Sequence, residues 1–371
     1  MAKTNPFITS GYNGAEYFCD RVEETAKITK WLINSNNIAL ISPRRYGKTD
    51  LIRHCFAQPE IASNYYTFII DIYSAKSFAE VVKMMSEAIV NTLKSKSQKA
   101  LDAFLGILQS LRGGFSYDWA GIPSFNIGIG DIHSPETTMG EIFEYLNKAD
   151  KPCLVAIDEF QQIAKIDDNI EAIFRTYVQY CNNATFIFSG SQRHIMGDMF
   201  TSPKRPFYQS TTLFYLGRLP MDKYAEFCRH HFENAGKHIK DGVASELYDR
   251  FDGVTYYMQR IMNEMFSNTE RGEWCEASDI DFAIRNILDV SAPIYENMMY
   301  QLPDKQQMVL RAIAADGIAT KPMSAQFVKS HNLPSPSSVK SALPALLDKD
   351  LLTTDKEGYR LCDKFLEIWL K

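Results

Sequence analysis

The chain has 371 residues, 45% of them hydrophobic, a formal net charge of −5 and seven cysteines. That length predicts two or three domains with sizeable cores, and the mild acidity gives no global push toward nucleic acid or anionic membranes. The cysteines fall singly without a C-x-x-C pair, which argues against a disulfide framework or a zinc site; no apolar run approaches a membrane span and Met1-Ala2-Lys3-Thr4-Asn5-Pro6 lacks a signal-peptide core, so a cytoplasmic protein is the simplest expectation.

The first predicted strand, around Ile38, runs into Ser42-Pro43-Arg44-Arg45-Tyr46-Gly47-Lys48-Thr49, and a helix opens at Thr49-Asp50-Leu51-Ile52. Strand, loop and helix in that order are the setting of a P-loop, in which backbone N–H groups and a helix N-terminus converge on phosphates. Ser42 to Asp50 are therefore candidate nucleotide-binding residues. Lys48 would reach the β- and γ-phosphates of ATP, and the Thr49 hydroxyl would hold Mg²⁺. Ser42 stands where the pattern G-x-x-x-x-G-K-[ST] has its first glycine, and a serine starts that turn only if its φ stays negative.

Tyr65 to Tyr73 reads as a second strand and Phe78 to Lys94 as a helix. Between Phe115 and Ile129, bulky and polar residues alternate around a glycine-containing centre, which predicts a β-hairpin insert. Its aromatic residues would either pack on the sheet or form a partner surface. Cys153-Leu154-Val155-Ala156-Ile157 is a continuous apolar run suited to a strand buried on both faces. It ends in Asp158-Glu159, at the carboxyl edge where α/β sheets bind ligands. Asp158 is placed to hold Mg²⁺ through its water shell, and Glu159 to polarise an attacking water. Ala184 to Ser191 is a further buried strand ending in small polar residues. Ser189 and Ser191 would sense the γ-phosphate or orient water, or else merely cap the strand. Strands at Ile38, Phe68, Leu154, Phe186 and Leu213, separated by helices, predict a parallel α/β sheet.

From about Pro220 the pattern is helical, beginning with Met221-Asp222-Lys223-Tyr224. Residues from about Pro303 look like a winged helix: Met308 to Ala314, Ala325 to Ser330 and Ser337 to Leu347 as helices, and Leu351 to Leu361 as a hairpin with Gly358 in its turn. Its third helix carries Lys340 as its only base before Lys349 and is interrupted by Pro344. The segment from Gln301 to Lys371 has ten Lys or Arg against eight Asp or Glu, where a DNA reader would show a basic stripe. A protein partner is the leading expectation for this module, with DNA the alternative.

These motifs resemble those of the archaeal-type ATPase family, in the STAND branch of AAA+-like P-loop NTPases. The carriers are the 42–49 loop, the Asp158-Glu159 pair and Ser189-Gly190-Ser191 followed by Met196. Phe18-Cys19-Asp20-Arg21-Val22-Glu23-Glu24 is similar to the family's F-x-x-R-x-x-E box, and Tyr359 to Leu370 to its closing Y-R-h-x-D-x-F-h-x-x-W-h signature. The resemblance implies an ATPase core over 1–217, a helical lid over 218–294 and a winged-helix domain over 295–371. It also implies that the Ser189 strand lies between the P-loop strand and the Asp158-Glu159 strand. Gly253-Val254-Thr255-Tyr256-Tyr257-Met258 resembles the element that covers adenine in the lid, with Thr255 in place of its proline. In AAA+ proteins the region of Lys204-Arg205-Pro206 faces an adjacent subunit, so Arg205 is a candidate arginine finger in an oligomer or, alternatively, an exposed loop residue. Two function classes follow: an ATP-hydrolysing switch, or a DNA-binding protein with ATP as a structural or slowly turned-over ligand.

Overall fold

The computed structural model describes residues 5–110, 115–117, 123–125, 132 and 134–371, with backbone only at 115–117, 123–125 and 168. The strands of the first unit are β1 (Ile38–Ile41), β2 (Tyr66–Asp71), β3 (Phe115–Tyr117), β4 (Pro123–Phe125), β5 (Cys153–Asp158), β6 (Ala184–Gly190) and β7 (Thr212–Tyr215). Five of them form one parallel sheet, as the apolar runs predict, and their order is β2-β5-β6-β1-β7. The strand carrying Ser189 lies between the P-loop strand and the carboxylate strand.

Register brings the functional strand ends to one edge. Asp71 pairs with Asp158, Leu40 with Ser189 and Ile41 with Gly190. Every residue of β1 and β5 is buried, because helices cover both faces of the sheet. On one face Ile28, Leu32, Leu51 and Ile52 pack against Leu40, Leu154 and Ile187. On the other, Val155, Ile157, Phe186 and Phe188 pack with Val82, Met85, Ile142 and Phe174. β3 and β4 pair antiparallel, with Ser116 opposite Ser124, so the expected hairpin strands are present. The turn of that hairpin and its aromatic side chains lie outside the described residues.

The chain divides into two compact units. One holds the sheet and comprises Ile8–Phe227 with Val254–Tyr256; the other comprises Cys228–Gly253, Tyr257–Lys371 and the described N-terminal residues up to Phe7. Within this second unit Phe7 is fully buried against Phe232 and Phe266, at ring distances of 5.8 and 5.6 Å.

The winged-helix elements form as expected. Helices span Asp304–Asp316, Ala325–Ser330 and Pro336–Asp348, followed by the hairpin Leu352–Thr354 and Tyr359–Leu361 and a closing helix Lys364–Leu370. Three helices start on side-chain caps: Ser324 accepts from the Phe327 N–H, Ser335 from that of Ser338 and Asp363 from that of Phe365. Pro344 does not interrupt the third helix but sits inside it. An interior proline costs about 3 kcal/mol, and the burial of Val339, Leu343 and Leu346 on the same helix offsets that cost. Among the described residues no helix is long and apolar enough to cross a membrane.

Candidate nucleotide-binding site

The 42–49 loop leaves β1 buried and enters the helix Lys48–Phe56 through Gly47, whose backbone is left-handed at φ +84°. A Cβ at Gly47 would meet nothing within 4 Å, so glycine is needed there for the backbone conformation and not for space. Arg45 is also left-handed, at φ +70°, whereas Ser42 is not among the positive-φ residues and so meets the condition for replacing glycine. Ser42 is fully buried; its N–H donates to the Gly190 carbonyl at 3.2 Å and thereby ties the loop to β6.

The residues expected to act together converge on this edge. The Thr49 hydroxyl donates to Asp158 Oδ2 at 2.5 Å, across 109 residues of sequence. The Lys48 ammonium, almost fully buried, faces Glu159 Oε1 at 3.9 Å. Glu159 Oε2 accepts from the Ser191 hydroxyl at 2.7 Å and also from the Gln161 amide. Ser191 in turn lies 3.4 Å from Arg44 Nε, so one chain of polar contacts runs from the phosphate loop to Glu159. The Ser189 hydroxyl is completely buried and has no hydrogen-bond partner among the described residues.

The turn after β5 explains how these groups come to face one another. Glu159 adopts a left-handed backbone, φ +54°, at a cost of about 1–2 kcal/mol for a non-glycine residue. In return Phe160 enters the core with no exposure, 4.5 Å from the Phe188 ring and 5.5 Å from that of Phe207. Burying a phenylalanine stabilises by about 1.5–3 kcal/mol, enough to hold the turn. Glu159 and Gln161 are then left at the strand edge.

Asp71 and Tyr73 were not singled out by sequence and lie beside the expected site residues. Asp71, at the end of β2, has its carboxyl raised above the usual range by partial burial and by the negative charges of Asp158 and Glu159. The Arg44 guanidinium lies over the Tyr73 ring at 5.5 Å, and that of Arg45 over the Tyr256 ring at 4.9 Å. The Tyr256 N–H also donates to the Arg45 carbonyl, at 3.1 Å. Asp50, in the first turn of the loop's helix, is raised by burial, against the opposing pull of Arg53. Tyr46 is half-buried in the loop.

Arg205 is placed differently from the other candidates. Its guanidinium lies 3.0 Å from Glu171 Oε2 and 3.3 Å from Asp198 Oδ2, and Glu171 is buried. Arg21, in the box near the N-terminus, is also engaged internally: it pairs with Glu24 at 2.7 Å and donates to the Gly217 carbonyl at 2.7 Å.

A parallel sheet with this loop, a hydroxyl–carboxylate pair behind it and a glutamate at the next position defines a P-loop nucleoside triphosphatase. The sequence model of the ATPase domain predominantly from Archaea matches residues 18–261, and that of a probable winged helix domain matches residues 293–371. The chain belongs to this archaeal-type ATPase family. No curated protein matches it in sequence. Among solved structures it is similar to a Walker-type ATPase of Pyrococcus abyssi, at 18% identity and a TM-score of 0.64, over 98% of this chain and 99% of that one. It is also similar to the ORC2 protein of Aeropyrum pernix in ADPNP–ADP complexes, at 12% identity and a TM-score of 0.57, covering 98% and 96%. A third is the Aeropyrum pernix ORC1 protein in complex with DNA, at 11% identity and a TM-score of 0.53, covering 95% and 92%. At these identities the likeness speaks to fold.

Proposed function

We propose that this chain is a Mg²⁺-dependent ATPase of the STAND type, in which the nucleotide state sets the arrangement of the lid and winged-helix segments. The observation that carries the reading is the Thr49–Asp158 hydrogen bond, with Lys48 and Glu159 beside it. It joins residues from two separate strand ends into one oxygen-lined, lysine-bearing corner.

The donor set suits Mg²⁺, a hard cation bound by oxygen and usually by only one or two protein side chains plus phosphate oxygens. Thr49 and Asp158 would hold it. Among the described residues no group of three or more His, Cys, Asp or Glu side chains is placed to hold a metal alone. Bound Mg²⁺ would neutralise phosphate charge. The backbone N–H groups of the 42–49 loop and Lys48 would bind the phosphates, Glu159 would polarise the attacking water, and Ser189 and Ser191 would order the edge between them.

The switch reading rests on consecutive residues. Tyr256 is held against Arg45 of the phosphate loop, within the sheet-bearing unit. The next residue, Tyr257, belongs to the other unit: its hydroxyl donates to the Cys362 carbonyl at 3.2 Å and accepts from the Lys364 N–H at 2.8 Å. The loop contact and the winged-helix contact are thus made by consecutive residues of the helix Thr255–Asn268. A protein partner fits that module better than DNA, since Lys340 is the sole base on the helix Pro336–Asp348. In this reading the core runs over 1–217, the lid over 218–294 and the winged helix over 295–371, in a cytoplasmic protein.

The test is Glu159→Gln, which keeps size and hydrogen bonding but removes charge. ATP binding by calorimetry is expected to persist while turnover falls by about 10²-fold or more. Equal loss of both would make Glu159 a structural or metal-holding residue. A wild type without turnover whose duplex-DNA binding is salt-sensitive would favour ATP as a structural ligand.

A further inference from the structure

Gln161 lies two residues beyond Glu159, with only 2% of its surface exposed. Its amide nitrogen donates to Glu159 Oε2 and lies 3.5 Å from the Ser191 oxygen. The amide oxygen is buried and has no hydrogen-bond partner among the described residues.

The end of β6 is shaped around this side chain. A Cβ at Gly190 would come within 2.4 Å of Gln161 Oε1 and 2.5 Å of Met196 Sδ. Real Cβ atoms essentially never approach that closely, so any residue other than glycine at 190 displaces the amide. Gly190 thus makes room for Gln161 between the two functional strands, and the small-residue run Ser189-Gly190-Ser191 acquires a physical reason.

Two donors, Ser191 and Gln161, converge on one carboxylate oxygen of Glu159 and leave Oε1 on the side of Lys48. We propose that Gln161, seated in the gap left by Gly190, is the positioning residue that fixes the Glu159 carboxylate for hydrolysis. It acts through Glu159 and not on the nucleotide. This rests on the ATPase reading above. With Oε2 anchored, Oε1 is held toward the phosphate side, where it accepts from water. Without Gln161, Oε2 keeps Ser191 as its one donor among the described residues, and the carboxylate is held less firmly on that side.

The test uses the full chain and Mg²⁺–ATP. Gln161→Met is nearly isosteric and removes both polar atoms; Gly190→Ala leaves Gln161 in the sequence but pushes its amide aside. Both are expected to lower kcat by about 10-fold or more, a fraction of the general-base effect, with KM and ATP affinity within about twofold. Combining Gln161→Met with Glu159→Gln is expected to lower kcat no further than Glu159→Gln alone, because both act through one carboxylate. A merely structural role would instead give additive losses or weaker ATP binding. Wild-type kcat in both single variants, or additivity in the double variant, overturns the proposal while leaving the ATPase reading intact. Failure of that reading would show separately, as absent turnover in the wild type or an inert Glu159→Gln. If Gln161→Met melts early, Gly190→Ala carries the test, since its clash is with the flexible ends of two side chains.

Discussion

The two units spend their polar side chains in different ways. At the sheet edge, groups from separate strand ends face one another: Thr49 meets Asp158, Lys48 meets Glu159 and Ser191 meets both Glu159 and Arg44. In the winged helix they satisfy their own neighbourhood. Asp363 caps its helix, buried Glu367 takes Lys364 and Lys371 at 2.9 Å each, and Arg360 pairs with Asp355 and Glu357. The same residue types thus mark a site in one unit and secondary-structure ends in the other. What separates them is whether the partners come from distant strands at one edge or from the next turn of chain.

The largest expected effect breaks the edge. Lys48→Ala leaves the backbone of the loop in place and removes the buried cation facing Glu159. In the proposed site Lys48 would pair with the phosphates, and truncating one partner of a desolvated charge pair in a binding interface costs about 2–5 kcal/mol, so ATP affinity is expected to fall at least about 30-fold. Calorimetry showing unchanged affinity would remove the P-loop assignment. A comparable truncation in the winged helix, where the lysines are half-exposed, would be felt far less.

This comparison also shows how far the sequence could be read. The five strands, the loop and the carboxylate pair were legible because each is a local pattern: an apolar run, a Gly-Lys-Thr turn, an acidic strand end. The place of β6 between β1 and β5 came from resemblance, and the pairing of β6 with both strands agrees with it. Gln161 was not legible. Its contact with Glu159 depends on a left-handed residue, φ +54°, and its space depends on Gly190 on another strand. Nothing in a one-dimensional pattern pairs them, although its place two residues past an acidic strand end was a signal available to be followed. Pro344 was misjudged for the opposite reason: local propensity argued for a break, and burial of the helix face overrode it.

Arg205 is where the comparison is most exposed to failure, because there the sheet-bearing unit behaves as the winged helix does. A finger must be free to reach a neighbour's phosphates, whereas this guanidinium lies 3.0 Å from Glu171, whose side chain is 2% exposed. Removing the arginine strands a buried carboxylate. Arg205→Ala is expected to destabilise the protein by about 3 kcal/mol in urea unfolding, toward the low end for breaking a buried pair because the arginine itself is partly solvated. Unchanged stability, with turnover lost only at high protein concentration, would restore the trans-acting role.

The smallest effect sharpens the contrast through two exposed carboxylates shifted in opposite directions. Asp71 is raised by partial burial and by Asp158 and Glu159, the cost of crowding acids at one edge. Asp355 is lowered: partial burial works against it, but the Glu357 N–H at 2.9 Å and the Arg360 guanidinium at 2.8 Å prevail. An unfolded aspartate titrates at about 3.9. With its folded value raised, Asp71 favours the folded state below that pH, and this contribution is lost as pH rises through the raised value. Asp355 contributes above about 3.9, and its contribution is lost as pH falls through the lowered value. At about pH 7 without nucleotide, Asp71→Asn is therefore expected to raise the melting temperature slightly and Asp355→Asn to lower it. As pH falls the two differences fade in turn: that of Asp71→Asn first, as pH drops through its raised value, and that of Asp355→Asn only below the unfolded value of about 3.9, as pH drops through the lowered one. In the proposed reading Asp158 would hold Mg²⁺, which would relieve the repulsion among these carboxylates, so adding Mg²⁺–ATP is expected to reduce the gain from Asp71→Asn and leave the loss from Asp355→Asn unchanged. Melting curves in which both variants shift the same way, or in which Mg²⁺–ATP leaves Asp71→Asn unaffected, would mean that the carboxylates at the sheet edge do not act as one charged cluster.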